Sequence, residues 1–202
     1  LIIPAANSIA TKVYLSHLNI IFPPNQALVR FAAIGMEVGE AYSSTINMIL
    51  SHPELSQWEY ILTLEHDNIP PPDGVLKLLQ RMEEHPEFAC IGGLYWTKGE
   101  GGVPQIWGDP KDPELNFRPQ PPVEGQRVEG CGTGMGFNLW RMNMFKDPNL
   151  RRPWFRTLAS KEEGVGTQDL YFWGDAKRHG YRCAVDCGVL VGHYDAATDV
   201  TW

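Results

Sequence analysis

The chain lacks the features that mark membrane-spanning, secreted and broadly nucleic-acid-binding proteins. No apolar run approaches the roughly 20 residues that cross a bilayer, and no charged segment followed by an apolar core is present as a signal peptide. The 202 residues carry 17 lysines and arginines against 24 aspartates and glutamates, a net charge of −7. Non-specific nucleic-acid binding needs a positive surface. We therefore expect a cytoplasmic protein without a transmembrane segment or a nucleic-acid partner.

Cysteine is also scarce, with four residues in the chain. Cys90, Cys131, Cys183 and Cys187 form no C-x-x-C pair, which excludes the usual spacing of zinc ligands. Buried free thiols in a reducing compartment are the expected state, and a disulfide from Cys183 or Cys187 stays open.

What the sequence does contain is an alternation of short apolar runs and helical periods. The expected strands, continuous apolar runs of the length of a buried strand, are 1–5, 60–64, 88–96 and 183–192. The expected helices, which carry a 3.6-residue apolar period or a clear stop signal, are 40–50, 73–82 and 168–179. Asp73 and Thr167 are expected to cap two of these helices and Gly180 to end one. The order helix, His-Pro-Glu, strand occurs twice, which predicts two successive α/β crossovers in one domain.

A charged triplet follows the second of these strands. Glu65-His66-Asp67 ends the apolar run, and three prolines then prevent a central strand from continuing. In open α/β sheets, ligands bind beyond the carboxyl ends of the strands. On an extended chain Glu65 and Asp67 point to the same side, where their oxygens suit a hard divalent cation. The alternative is a solvated turn, because Asp67-Asn68 is also good turn chemistry.

Two further residues have the chemistry of a site. His193 follows the apolar run 187–192, so it is either a structural histidine or a third ligand beside the two carboxylates. Carboxylate and imidazole together suit manganese, and magnesium also fits. Asp169 is expected in the first turn of the helix at 168–179. There it either complements the helix dipole or acts as a rigidly held general base.

Glycines and tryptophans mark the middle of the chain. The segment 99–127 has no helical or strand period, and loops of this length are usually functional or disordered. Trp96 and Trp107 bracket its glycines, so they either stack on a sugar ring or belong to the core. The glycine run 130–136 lacks the Lys-Ser/Thr of a P-loop. It is better explained by a sharp turn or a close backbone approach to a ligand.

Taken in order, these segments resemble the GT-A glycosyltransferases, in particular the family-2-like nucleotide-sugar transferases. The matching segments are 1–4, 62–67, 91–95, 132–137, 167–170 and 191–193. Two positions depart from the family pattern. Glu65 replaces the first aspartate of the DxD motif, and Gln168 replaces the acid that usually precedes the base. The segment around 5–45 matches poorly, so no preference for uracil or guanine follows.

The resemblance implies a single GT-A (Rossmann-like) α/β domain over 1–202, with a mostly parallel central sheet flanked by helices. It implies transfer of a sugar from a UDP- or GDP-linked donor to a hydroxyl of a glycan, lipid or small-molecule acceptor. Mn²⁺ or Mg²⁺ would be held by Asp67 and His193. Glu65 would help directly, act through water, or contact the donor ribose. Asp169 would be the base of an inverting reaction, or would position the acceptor in a retaining one.

The resemblance also implies contacts with both substrates. The residues expected at the donor are Pro4, Ala5, Glu65, His66 and Gly93. The residues expected at the acceptor are Trp96, Trp107, Gly134, Met135 and Gln168, with 99–127 as a lid on that side. Two other interpretations stay open: a non-catalytic, metal-dependent sugar- or nucleotide-binding module of the same fold, and a phosphohydrolase of nucleotide sugars. The hydrolase would need more carboxylates for a two-metal site.

Overall fold

The computed structural model describes residues 1–160 and 164–202, with side chains described everywhere in these ranges except at 164 and 165. The helices are α1 (Thr11–Leu18), α2 (Val38–Ser51), α3 (Gly74–Glu84) and α4 (Gln168–Arg178). The strands are β1 (Ile2–Ala5), β2 (Phe31–Ile34), β3 (Tyr60–Leu64), β4 (Asn68–Ile69), β5 (Cys90–Leu94), β6 (Ile106–Trp107), β7 (Arg127–Gly130), β8 (Gly132–Thr133), β9 (Phe137–Arg141), β10 (Leu158–Ser160), β11 (Gly164–Gly166), β12 (Cys183–Leu190), β13 (Gly192–Asp195) and β14 (Val200–Thr201).

The central sheet has seven strands in the order β2-β1-β3-β9-β5-β12-β7. Strands β1, β2, β3, β5 and β12 run in one direction. Strand β1 is parallel to both β2 and β3, and strand β5 is parallel to β12. Strand β9 lies between β3 and β5 and is antiparallel to both, and β7 is antiparallel to β12. The expected mostly parallel α/β sheet flanked by helices is therefore present. The reversed strand β9 at its centre was not predicted.

Two apolar layers cover the faces of this sheet. On one face, α2 and α4 enclose a cluster around Trp140, whose ring stacks on Trp173 with centroids 5.4 Å apart. The indole nitrogen of Trp140 donates to the Thr63 hydroxyl at 3.0 Å, so its polar atom is satisfied within the core. On the other face, α3 contributes the apolar stripe that its period predicted. Its buried side chains are Val75, Leu78, Leu79 and Met82.

The ends of the elements differ from the sequence expectations in ways that local contacts explain. Helix α2 begins earlier than predicted because the Glu37 carboxylate accepts from the amide of Glu40 at 3.0 Å. Asp73 and Thr167 occupy N-cap positions but make no side-chain capping hydrogen bond. The Asp73 carboxylate instead pairs with the Lys77 ammonium at 2.9 Å. Gly180 follows α4 at φ +83°, as a glycine that ends a helix should.

The segment 99–127 contains paired structure outside the central sheet. Its strand β6 pairs with β8, and isolated bridges join Trp96 to Pro104 and Trp107 to Pro119. Strand β6 was not predicted, because it is two residues long and the segment around it is rich in proline and charged residues. The role of the segment as a lid stays a prediction.

The structure describes the state of the cysteines and the length and apolarity of the helices. All four cysteines are buried free thiols, so the disulfide that stayed open for Cys183 or Cys187 is absent. Among the described residues, no helix combines the length and apolarity that crossing a membrane requires.

Candidate functional site

Two cavities lie at the edge of the sheet where β1 and β3 end, on either side of the turn that follows β3. The first, which we call the β1–β3 cavity, has a volume of about 310 Å³ and is lined by Pro4, Ala5, Ala6, Met36, Val38, Glu65, His66, Asp67 and Gln168. The second, the Lys98 cavity, has about 290 Å³ and is lined by Ala6, Asn7, Ser8, Ala10, His66, Asp67, Lys98, Tyr194 and Ala196. His66 and Asp67 belong to both, so the charged triplet separates two adjoining spaces.

The triplet forms a turn whose backbone is fixed on both sides. The amide of Glu65 donates to the carbonyl of Gly136 at 3.0 Å, and the amide of Asn68 closes the turn on the Glu65 carbonyl at 3.1 Å. Strand β4 then pairs antiparallel with β13, with Asn68 opposite His193. The Tyr194 amide donates to the Asp67 carbonyl at 2.7 Å. This pairing is what brings His193 next to Asp67.

Two side chains converge on the Asp67 carboxylate. Its Oδ2 lies 2.6 Å from the Lys98 ammonium and 3.5 Å from Nε2 of His193. Nδ1 of His193 lies 2.7 Å from the Trp96 carbonyl. A carbonyl can only accept, so Nδ1 carries the proton in this contact and Nε2 faces the carboxylate. Asp67 Oδ1 is buried and has no hydrogen-bond partner among the described residues.

The pKa values of Asp67 and Glu65 move in opposite directions. Burial alone would raise the pKa of Asp67. The hydrogen bonds and positive charges of His193 and Lys98 outweigh burial and hold that pKa well below its usual range. For Glu65, burial first, and then the negative charges of Asp67 and Asp169, raise the pKa to about 8. At neutral pH the site therefore contains an ionised Asp67 and a mostly protonated Glu65.

Asp169 lies in the first turn of α4 and is 7% exposed. Its Oδ1 accepts from the amide of Leu170 at 2.9 Å. Burial raises the pKa of Asp169, and hydrogen bonds from the Thr167 hydroxyl and nearby amides oppose that rise. Its neighbour Gln168 lines the β1–β3 cavity, and Asp169 itself is not among the lining residues of either cavity. A buried carboxyl group with a raised pKa, next in the chain to a residue that lines a cavity, is a candidate general base.

The structure brings together some of the predicted contact residues and separates others. The predicted residues that line the β1–β3 cavity are Pro4, Ala5, Glu65, His66, Asp67 and Gln168. Those that line neither cavity are Gly93, Trp96, Trp107, Gly134, Met135, Asp169 and His193. A Cβ on Gly93 would meet Val189 and Val191, and Met135 is 1% exposed within the core. Close packing thus occupies these two positions.

The remaining predicted acceptor residues lie near the segment 99–127. Trp96 and Trp107 are half-buried, and the Trp107 indole donates to the Gln105 side chain at 3.1 Å. A Cβ on Gly134 would overlap the hydroxyl of Tyr95 and the amide of Gln105. Gly134 therefore allows a close approach of its own backbone to Tyr95. Contact of these residues with an acceptor stays a prediction.

A divalent cation fits this site with two protein ligands rather than three. Within the described part of the chain, no group of three or more His, Cys, Asp or Glu residues has the arrangement of a metal site. Glu65 and Asp67 do not extend side by side, because the turn starts at Glu65. Asp67 offers its unpartnered Oδ1 and also its Oδ2, which Nε2 of His193 faces from 3.5 Å, so the pair supplies oxygen and nitrogen ligands. Mg²⁺ and Mn²⁺ often bind through so few protein groups when substrate phosphates complete the shell.

The sequence did not predict that Lys98, Met36 and Val38 line the two cavities. Lys98 is the basic residue between Trp96 and the flexible Gly99, and its position in a glycine-containing loop after a strand was an available signal. Met36 and Val38 follow β2, and parallel pairing of β1 with β2 places them beside the end of β1. That pairing could not be predicted, because the segment 11–34, which contains β2, is ambiguous between helix and strand in its sequence pattern.

Comparison with known proteins gives a likeness of fold. No family model matches the chain, and no curated protein sequence matches it. Among solved structures, the chain is similar to A197 from STIV, with a TM-score of 0.66 and 16% sequence identity. The superposition covers 96% of this chain and 84% of that one. At this identity the likeness concerns the architecture, and it extends over nearly all of the chain.

Proposed function

We propose that the protein is a GT-A-type glycosyltransferase that moves a sugar from a nucleoside-diphosphate donor to an acceptor hydroxyl with the help of a divalent cation. The observation that carries this proposal is the Asp67–His193 pair at the carboxyl edge of the sheet, where Asp67 has an unpartnered carboxylate oxygen and lines two adjoining cavities. Open α/β sheets bind nucleotides at this edge.

The β1–β3 cavity has the composition that a nucleoside requires. Pro4, Ala5, Met36 and Val38 provide apolar contact area for a base and ribose. Glu65 lies at the same cavity, and its raised pKa leaves it protonated at neutral pH. A protonated carboxyl both donates and accepts, so Glu65 is suited to a ribose hydroxyl. This assignment explains why a glutamate, rather than a second metal-binding aspartate, follows β3.

The bond-breaking step places negative charge on the departing diphosphate. Asp67 and His193 would hold Mn²⁺ or Mg²⁺, which supplies charge stabilisation to the leaving group. Asp169 is held by its own helix turn and accepts the proton of the attacking acceptor hydroxyl. Attack from the face opposite the diphosphate inverts the anomeric carbon, as in inverting glycoside hydrolysis.

Calorimetric titration with UDP and GDP, with and without Mn²⁺, tests the binding half of the proposal. The wild type is expected to bind one nucleotide in a Mn²⁺-dependent way, and Asp67→Asn is expected to lose that dependence. Asp73→Asn is the matched control, because Asp73 also pairs with a lysine but lies at the start of α3. Nucleotide binding that is indifferent to Mn²⁺ and to Asp67→Asn would refute the site.

The catalytic half is tested on Asp169. Incubation with nucleotide-sugar donors and sugar acceptors, followed by mass spectrometry, is expected to show a transfer product that Asp169→Asn lacks while it still binds nucleotide. Free sugar without any transfer product would indicate a phosphohydrolase. Nucleotide binding with no turnover of any donor by the wild type would indicate a non-catalytic binding module.

A further inference from the structure

Lys98 occupies the same carboxylate oxygen that a cation bound by His193 would need. Its ammonium lies 2.6 Å from Asp67 Oδ2, and His193 Nε2 faces that oxygen from 3.5 Å. The Asp67 and Lys98 side chains are 20% and 33% exposed, so the pair is only partly screened by solvent. A second positive charge next to Asp67 would repel the ammonium at short range. Lys98 and a divalent cation therefore compete for Asp67.

The loop that carries Lys98 has a fixed base and an open tip. At the base, the amide of Thr97 donates to the Val103 carbonyl at 2.9 Å, and the amide of Val103 donates to the Thr97 hydroxyl at 2.9 Å. At the tip, Gly99 and Gly101 have φ of +97° and +75°, and no atom lies within 4 Å of a Cβ built on either. The lysine side chain can therefore leave Asp67 without disturbing the sheet.

The space into which Lys98 would move is the Lys98 cavity, which His66 and Asp67 also line. A released ammonium in this cavity remains beside the cation position. A nucleoside diphosphate whose nucleoside occupies the β1–β3 cavity would present its negatively charged phosphate oxygens to both. Lysine is suited to this role, because its compact charge sits on a flexible stem and donates in several directions.

We propose that Lys98 is an exchange residue of the donor site, an inference that rests on the function proposed above. In the free protein Lys98 neutralises Asp67, and when a divalent cation replaces it, Lys98 passes to the phosphate oxygens of the nucleoside diphosphate. The exchange keeps Asp67 paired in both states. It also makes the cation and the nucleotide favour each other's binding, since the ammonium that the cation displaces becomes a ligand of the nucleotide.

The proposal predicts opposite effects of one substitution. Lys98→Met keeps most of the apolar stem and removes the charge, so Mn²⁺ alone meets no competitor at Asp67. Its affinity is expected to rise on the order of tenfold, the effect of one charge-assisted contact. With Mn²⁺ saturating, the affinity for UDP or GDP is expected to fall by a similar factor. Lys98→Arg retains the charge and is expected to restore most of the nucleotide affinity.

The experiment is calorimetric titration of Mn²⁺ alone, and then of UDP and GDP at saturating Mn²⁺, on wild type, Lys98→Met and Lys98→Arg. Lys77→Met is the matched control, because Lys77 pairs with Asp73 at 2.9 Å on α3 and lies outside both cavities. Thermal unfolding verifies that each variant is folded. Opposite changes in the two affinities support the exchange.

Three other outcomes overturn the exchange and separate it from the proposed function. Unchanged Mn²⁺ affinity in Lys98→Met, with nucleotide binding still dependent on Mn²⁺ and Asp67, refutes the exchange and leaves the transferase site standing. Nucleotide binding without Mn²⁺ that disappears in Lys98→Met makes Lys98 a permanent counter-charge and refutes the cation requirement. Failure of every variant, wild type included, to bind either nucleotide refutes both proposals.

Discussion

The raised pKa of Glu65 is expected to make the contribution of this residue to the stability of the protein fall as the pH rises from 6 to 8. The pKa of Glu65 is raised from its ordinary 4.5 to about 8 by burial and by the charges of Asp67 and Asp169. A carboxyl whose pKa is higher in the folded than in the unfolded chain binds more protons when folded. The contribution of Glu65 to the free energy of unfolding therefore decreases as the pH rises from its unfolded-state pKa to its folded-state pKa.

The magnitude follows from that interval. One pKa unit corresponds to 1.36 kcal/mol, and between pH 6 and pH 8 the folded carboxyl begins to ionise while the unfolded one is already ionised. The linkage relation then gives a loss of about 2 kcal/mol from this group over those two pH units. Glu65→Gln keeps the shape and cannot ionise, so it should remove that part of the pH dependence.

The assay is urea denaturation of wild type and Glu65→Gln at pH 6, 7 and 8, in the absence of divalent cations and nucleotides. The difference in unfolding free energy between the two proteins should grow by about 2 kcal/mol in favour of the variant as the pH rises. Glu83→Gln, at an exposed position on α3, is the control and should show no such trend. A difference that is constant from pH 6 to pH 8 would show that Glu65 is ionised throughout, and the electrostatic account of the site would be wrong.

Three further predictions concern the scaffold. Trp173→Ala removes the ring stacked on Trp140 and should lower the unfolding free energy by about 3–5 kcal/mol, measured by urea denaturation; a loss below 1 kcal/mol would contradict the packing. Asp186→Ala removes the carboxylate that accepts from Arg81 and from the Gly188 amide, each at 2.8 Å. The unfolding free energy in the same assay should fall by about 1–3 kcal/mol. No loss would mean that solvent replaces the carboxylate. A thiol reagent should modify the four buried cysteines only after denaturation; rapid reaction of the native protein would show that one of them is accessible.

The parts of the fold that sequence predicts well are those with a local cause. The run Tyr60–Leu64 is a strand with the same bounds as expected, because its apolar residues and the prolines behind it determine both ends. Helix α3 carries the predicted buried stripe because its period is strong. In contrast, β9 runs antiparallel between β3 and β5, and nothing in Phe137–Arg141 distinguishes a reversed strand from a parallel one.

The candidate site shows the same division. The position of the triplet at a cavity follows from its place after a buried strand. The contact between Asp67 and His193 depends on the two-residue strand β4, which is too short to leave a sequence signal. Lys98 reaches Asp67 across 31 positions of the chain, through a loop whose path depends on the bridge between Trp96 and Pro104. Such contacts depend on tertiary structure and have no local pattern.

The reversed direction of β9 places the glycine run that precedes it beside the candidate site. Because β9 is antiparallel, it enters the sheet at the edge where its neighbours leave it, and Phe137 lies opposite Leu64. The carbonyl of Gly136 accepts from Glu65, and its amide donates to the Tyr95 hydroxyl at 2.8 Å. Gly136 in the glycine run therefore contacts the residues that follow both β3 and β5, through the amide of Glu65 and the hydroxyl of Tyr95. We expect a change in the backbone of Gly136 to disturb the ends of β3 and β5 together.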